Sequence, residues 1–291
     1  VNGCSGAMRV ACPIFFCASD TLSTLISSPK VVLITGGTSG LGKAMCQRLA
    51  AVGHTVVGTG RKPEDAPNGW SLITMDVTDD ASVRAAVDQV IARHGRIDVL
   101  INNAGTGIQG AAEDIDDALA KQLFEANFFG LHRVCRAVLP HMRGKKSGLI
   151  INISSIAANF GLPYRAFYSA SKAAVDRYGE ALSIEVKPFG IRVVTVQPGE
   201  FNTNIPNARL RPGTIGEAYR KGYERAMGIL GGSMHYSRDP DELAVVVARI
   251  IASPRPKSVY RVAQGVQKMS VLLKMLLPGR AFERLVGKHY E

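Results

Sequence analysis

The chain reads as an α/β protein: one doubly wound domain in which a parallel sheet of about seven strands carries helices on both faces. Three observations predict it. Short runs of Val, Ile and Leu alternate with longer stretches of helical periodicity from Lys30 to Val262, and no linker breaks the alternation. Several of those runs are apolar at nearly every position, the pattern of strands buried on both faces. A glycine-rich turn comes straight after the first run, where such a sheet connects its first strand to its first helix.

The first strand is expected over residues 31–35, where β-branched residues dominate and glycines follow. A helix over 43–52 comes next, then strands over 55–60 and 72–76. Residues 81–94 read as a helix because Val83, Ala86, Val87 and Val90 recur on one face. A strand over 97–102 precedes one long helical stretch over 114–142. Strand 149–154, helix 164–187 and strand 191–196 continue the alternation. After an irregular stretch come a helix over 240–252 and a last strand near 258–262. There is no internal repeat and no low-complexity segment.

With 291 residues, 46% of them hydrophobic and 20% charged, the chain can bury a substantial core and is not disordered throughout. Its longest uninterrupted apolar run, residues 10–18, is far shorter than the roughly 20 residues a bilayer-spanning helix needs. Residues 1–28 are Ser-rich, nearly uncharged and hold three of the five cysteines. They read as a leader or flexible extension ahead of a domain over 29–264, with a basic amphipathic extension over 265–291. Cys46 and Cys135 fall in expected helices without CxxC spacing, which argues against a disulfide framework or zinc knuckle and for a reducing, cytoplasmic setting. The net charge is +11, and residues 255–291 alone carry eight Lys or Arg against two Glu. That region has no nucleic-acid recognition motif, so a solvated basic face is the reading it supports. His54, His94, His132, His141, His235 and His289 are scattered without ligand spacing, and no metal site is expected.

The turn Thr35-Gly36-Gly37-Thr38-Ser39-Gly40-Leu41-Gly42 offers unpaired backbone N–H groups and a helix N-terminus to a phosphate. Gly37, Gly42 and Lys43 also match a P-loop until its last position, where Ala44 replaces the hydroxyl that would hold magnesium. The second strand ends in Gly60-Arg61-Lys62, where a dinucleotide fold that prefers NAD places an acid for the ribose 2′-hydroxyl. Two cations suit a 2′-phosphate, so NADP(H) is expected over NAD(H), with Thr38 and Ser39 as further donors. Asp76, with Val77 beside it, ends the next strand and is expected to face the adenine.

Tyr168 and Lys172 are one helical turn apart and share a face. A phenol titrates near 10 when unperturbed, and a fixed cation beside it favours the phenolate, which makes it a tunable acid. Alone the pair is a weak signal.

Six motifs in order make it a strong one. The glycine loop, Asn102-Asn103-Ala104-Gly105, Asn127 in Ala126-Asn127-Phe128-Phe129-Gly130, Ser154-Ser155, Tyr168 with Lys172, and Pro198-Gly199 with Thr203 resemble the short-chain dehydrogenase/reductase family in sequence and spacing. The resemblance is strong over residues 30–205 and weaker to 262, and it implies a Rossmann-type fold. It implies that Tyr168 is the general acid/base, that Lys172 lowers its pKa and bonds the nicotinamide ribose, and that Ser155 orients the substrate oxygen. Asn127 would hold a water linking Lys172 to solvent. Thr203 would hold the carboxamide, Pro198 and Gly199 would pass the nicotinamide ring, and Asn103, Ala104 and Gly105 would line the nucleotide cleft.

The expected activity is hydride transfer between NADP(H) and a carbonyl or secondary alcohol. A catalytically silent NADP(H)-binding sensor or scaffold is the alternative, and the complete Ser155, Tyr168 and Lys172 set speaks against it. Residues 200–237 are expected to form an apolar substrate loop with aromatic interruptions, among them Phe201, Tyr219, Tyr223 and Leu230, suited to a hydrophobic small molecule. Tyr164 is expected on the substrate side or in packing. The stretch 271–290 suits peripheral contact with an anionic membrane, and equally a cap on the pocket or on an oligomer interface. The resemblance further implies a homodimer or homotetramer built through the helices holding Asn127 and Tyr168.

Overall fold

The computed structural model describes residues 28–62, 69–202, 209–233 and 237–290. Thr203 and all but Ser28 of the expected N-terminal extension lie outside the described residues.

Strands β1 (Val31–Ile34), β2 (Thr55–Gly60), β3 (Ser71–Thr74), β4 (Val99–Asn102), β5 (Gly148–Ile153), β6 (Ile191–Pro198) and β7 (Val259–Val262) form one sheet. The spatial order is β3-β2-β1-β4-β5-β6-β7, and every pairing is parallel. Helices α1 (Gly40–Ala51), α2 (Asp80–His94), α3 (Asp117–Phe124), α4 (Gly130–Gly144), α5 (Ala166–Glu185), α6 (Glu217–Ser233), α7 (Pro240–Ala252), α8 (Gly265–Leu276) and α9 (Gly279–Tyr290) complete the fold.

The period of two along each strand explains the continuous apolar runs. Val31 and Leu33 point to one face, where they join Val83, Val87 and Val90 of α2 and Val134 and Val138 of α4. Val32 and Ile34 point to the other, where they meet Met45 and Leu49 of α1 and Leu243 and Val247 of α7. Both faces are covered, so neither tolerates a polar side chain at these positions.

The structure departs from the sequence expectation in two places. The helical stretch expected over 114–142 is α3 followed by a π-helical turn, Glu125–Phe129, and then α4. The π turn holds neither Gly nor Pro, so nothing in its residues marks a break and the sequence reads the stretch as one helix. The stretch between β6 and α7, expected to be irregular, contains the 17-residue helix α6. Its Gly222, Gly228, Gly231 and Gly232 carry the signature of a loop, and tertiary packing overrides it.

Past β7 the chain returns to the sheet's carboxyl edge. Val271 of α8 and Phe282 of α9 are buried, Val271 in a cluster with Ile156 and Ala263, and the Phe282 ring meets Phe160 edge-on at 5.2 Å. Elsewhere on α8, Val266, Met269, Leu272, Met275 and Leu276 are exposed. Among the described residues no helix is long and apolar enough to cross a membrane, and no cluster of His, Cys, Asp or Glu is placed to hold a metal.

Candidate active site

The strand order reverses direction at β1, whose neighbours are β2 on one side and β4 on the other. In open α/β sheets a ligand crevice opens there, beyond the carboxyl ends of the strands. The loops after β1 and β4 are tied together across it. Thr35 Oγ1 accepts from the Asn103 and Ala104 amides, both at 2.9 Å, and Asn103 Nδ2 donates to the Thr35 carbonyl at 2.9 Å and the Gly36 carbonyl at 3.2 Å. Asn103 and Thr35 therefore hold the cradle as well as lining it.

The cradle is shaped by absent side chains. Gly36 has φ +68°, and a Cβ on Gly42 would sit 2.0 Å from the Gly36 carbonyl oxygen. Ser39 sits at the N-cap of α1, with Gly40 as the first residue of the helix; the Ser39 backbone is extended and its hydroxyl makes no capping bond. Thr38 packs against Gly60, where a Cβ would lie 2.4 Å from its methyl group, so the loop reaches the end of β2. Arg61 and Lys62 follow there, both exposed. Asp76 is engaged locally, since its Oδ1 accepts from the Thr78 amide at 2.9 Å and hydroxyl at 2.8 Å. Burial raises its pKa, but those bonds together with Arg61 and Arg133 outweigh burial and hold the carboxyl below its ordinary range. Val77 packs on Gly130, and its carbonyl accepts from Arg133 at 3.2 Å. This groove of open amides, free hydroxyl and cations fits a dinucleotide phosphate chain.

Leu41, Asn103, Gly105, Ser155, Tyr168, Lys172, Pro198 and Gly199 line one cleft. Lys172 is buried, and its Nζ donates to the Ile153 carbonyl at 3.0 Å. Ser155 follows β5, and its Oγ accepts from the Ala157 amide at 3.1 Å. With that lone pair occupied, its hydroxyl proton is free to turn toward the Tyr168 phenol, which lines the same cleft. Burial pushes the phenol pKa up, yet Lys172, Arg165, the Ser155 hydroxyl and Arg209 overcome it and hold the phenol below its usual value.

Asn127 lies in the π turn, 2% exposed, so it is part of the frame around the cleft. Its Oδ1 accepts from the Thr106 amide at 2.8 Å, and its Nδ2 donates to the Thr106 carbonyl at 3.0 Å and to Ser171 Oγ at 3.1 Å. A π turn changes the i→i−4 ladder locally, which allows a backbone carbonyl there to take a partner outside the helix. Tyr164, with φ +59°, meets Tyr223 of α6 edge-on at 5.8 Å, a packing contact between the segment before α5 and α6.

Arg165, Arg209 and Gln267 line the cleft and escaped sequence reasoning. Arg165 stacks on Tyr168 with its Cζ 4.9 Å from the ring centroid, and its place three residues before the tyrosine was a readable signal. Arg209 carried none. It arrives because Ile108 and Leu210 form a parallel bridge, with the Leu210 amide bonded to the Gly107 carbonyl at 2.9 Å. Gln267 of α8 also reaches in, its amide packed against Gly199.

A phenol that ionises easily, a hydroxyl beside it and an adjoining phosphate cradle can move a proton onto an oxygen next to a bound nucleotide. Comparison with known proteins agrees. The chain is 43% identical over 252 residues to a 3-ketodihydrosphingosine reductase of Bacteroides thetaiotaomicron, covering 86% of this chain and 94% of that protein. Its fold matches a short-chain dehydrogenase from Streptomyces avermitilis with a TM-score of 0.77 and 33% identity, covering 90% of this chain and 97% of the other. A 3-ketoacyl-(acyl-carrier-protein) reductase from Brucella melitensis, solved with NADH, matches with a TM-score of 0.68 and 27% identity over 82% of this chain and 98% of the other. The family described as short chain dehydrogenase matches residues 30–212, and this chain belongs to that family of oxidoreductases.

Proposed function

We propose that this protein transfers a hydride between NADP(H) and a carbonyl or secondary alcohol on a hydrophobic substrate, with Tyr168 as the general acid/base. The observation that carries the reading is the Tyr168 phenol, set in one cleft with Ser155 and Lys172 at the mouth of the phosphate cradle and held below its usual pKa. The bound nicotinamide supplies the hydride. In the reducing direction Ser155 and Tyr168 both donate to the carbonyl oxygen, and Tyr168 delivers its proton as negative charge gathers there. Lys172 stabilises the phenolate left behind and is placed to bond the ribose. Asn127 fixes the π turn through which a water returns the proton from solvent. Pro198, Gly199 and Thr203 serve the nicotinamide side.

NADP(H) is favoured because β2 ends at Gly60 with Arg61 and Lys62 beyond it, and Thr38 packs beside them. The substrate wall of Ile156, Leu162, Phe201 and Leu230 is apolar, and the likeness to a reductase of a 3-keto sphingoid supports a long-chain keto compound. In this reading residues 29–264 are the catalytic domain, and the extension 265–291 closes the cleft through Gln267. The exposed apolar residues of α8, with Lys268 and Arg280 also exposed, suit an anionic bilayer surface from which such a substrate would enter. Phe129, Ile184 and Phe189, exposed beside α4 and α5, suit assembly with a second copy of the chain.

The test is a panel of long- and short-chain ketones with NADPH or NADH. Oxidation of NADPH by long-chain ketones is expected. Tight NADPH binding with no turnover on any carbonyl would instead support a silent binding protein.

A further inference from the structure

Arg165 and Arg209 are the unexplained charges of the cleft. Both line it beside Tyr168, and among the described residues neither has a carboxylate within ion-pair distance, since the ion pairs of the chain lie elsewhere. Of the undescribed residues, the segment 203–208 that leads directly into Arg209 contains no acid, and Glu291 follows Tyr290.

The charges that face the cleft can be enumerated by element. Helix α5 contributes Arg165 and Lys172, the segment after β6 contributes Glu200, and the bridge to Ile108 brings Arg209 with Arg211 beyond it. Tyr290, at the end of α9, feels both Arg165 and Glu200. The buried Gln109 amide faces Arg209 and Arg211 together: its oxygen accepts from Arg209 at 3.3 Å, or from Arg211 at 3.0 Å once the amide is turned over. A neutral amide oxygen does not neutralise a guanidinium. Burial disfavours the charge on Arg209 and Arg165 disfavours it further; Tyr168 and Glu200 help it, Arg211 adds a smaller opposition, and the net effect is against the charge. Partly buried, like-charged guanidinium groups persist at a cost unless an anion offsets them.

We propose that Arg165 and Arg209 form a subsite for an anionic oxygen group on the substrate, a phosphate ester or a carboxylate, held near the carbonyl that Tyr168 serves. The subsite rests on the reading of Tyr168 as facing the substrate oxygen, and it narrows the substrate class to an amphiphile. The apolar chain lies on Leu162, Phe201 and Leu230, and the anionic head meets the planar forks of the two arginines, which suit such oxygens. A substrate with an ammonium group at that place would meet two guanidinium groups and have Glu200 as its acid.

Calorimetric titration of octyl phosphate, octanoate, octanol and octylamine into the protein saturated with NADP⁺ separates these cases without turnover. Octyl phosphate, octanoate or both should bind about tenfold or more tighter than octanol, as charge-assisted bonds to arginine imply. The tighter of the two anions names the head group. Arg165→Gln and Arg209→Gln should each remove most of that preference, with NADP⁺ affinity in the same samples reporting that the variants fold. Equal binding of octanol and both anions overturns the proposal, as does a preference for octylamine or an anion preference that survives in the double variant. Because no step in this measurement requires Tyr168 chemistry, loss of turnover and loss of the subsite are read separately.

Discussion

Ser155 and Tyr168 line the same cleft, one from the turn after β5 and the other from the first turn of α5. The Ala157 amide fixes the Ser155 oxygen as an acceptor at 3.1 Å, which aims the serine proton at the phenol and at any oxygen between them. Ser155→Ala should therefore lower kcat by about 100-fold, the usual cost of one donor to a developing oxyanion. Dissociation of NADPH, followed by its fluorescence, should stay unchanged, and a loss confined to cofactor binding would contradict the role.

The phenol's depressed pKa sets the sign of the pH dependence. Alcohol oxidation needs the phenolate as base, so its rate rises as pH climbs through that pKa, while carbonyl reduction needs the protonated form and falls over the same window. Arg165→Met removes a cation stacked 4.9 Å from the ring centroid. Both limbs should then move to higher pH for a neutral substrate. Profiles that superimpose would show that Arg165 does not tune Tyr168.

The proposed preference for NADP(H) rests on Arg61. Arg61→Ala should reduce the ratio of NADPH to NADH affinity by about tenfold, the scale of a charge-assisted bond to phosphate. An unchanged ratio in paired titrations would remove the basis for NADP(H).

The cradle's dependence on glycine is equally testable. An alanine at Gly42 would bring its Cβ within 2.0 Å of the Gly36 oxygen, whereas Gly228 in α6 has open space around it. Gly42→Ala should abolish NADPH binding. Gly228→Ala should leave binding intact and stabilise the helix by about 0.5–1 kcal/mol, read as a higher Tm. Normal binding by Gly42→Ala would mean the nucleotide does not use this loop.

Much of this architecture was readable from residues alone. β2 and α7 have the bounds their patterns announce, because a β-branched run between turns and an apolar face at helical spacing are local signals. The glycine loop, Ser155, Tyr168 and Lys172 were readable for a related reason: each follows a strand or shares a helical turn. What stayed hidden depends on packing between distant segments. The π turn at Asn127 is secured by Thr106, twenty-one residues earlier, and Arg209 enters the cleft only through the bridge from Ile108 to Leu210. Glycine-laden α6 conceals itself by composition.

Helix α8 gives a surface prediction. Met275→Glu with Leu276→Glu places two acids among the exposed apolar residues and the nearby lysines. Co-flotation with anionic vesicles should drop for the double variant, while turnover of a short, water-soluble ketone stays at the wild-type rate. Equal flotation of both proteins would remove the membrane from the account.

The central claim is that Tyr168 moves the proton. Its most direct measurement is single-turnover NADPH oxidation by Tyr168→Phe with a ketone that the wild type reduces, at saturating cofactor. The rate should fall by a factor of about 100 or more, as loss of a positioned general acid implies, with NADPH affinity preserved. A variant that retains the wild-type rate would contradict the assignment of Tyr168.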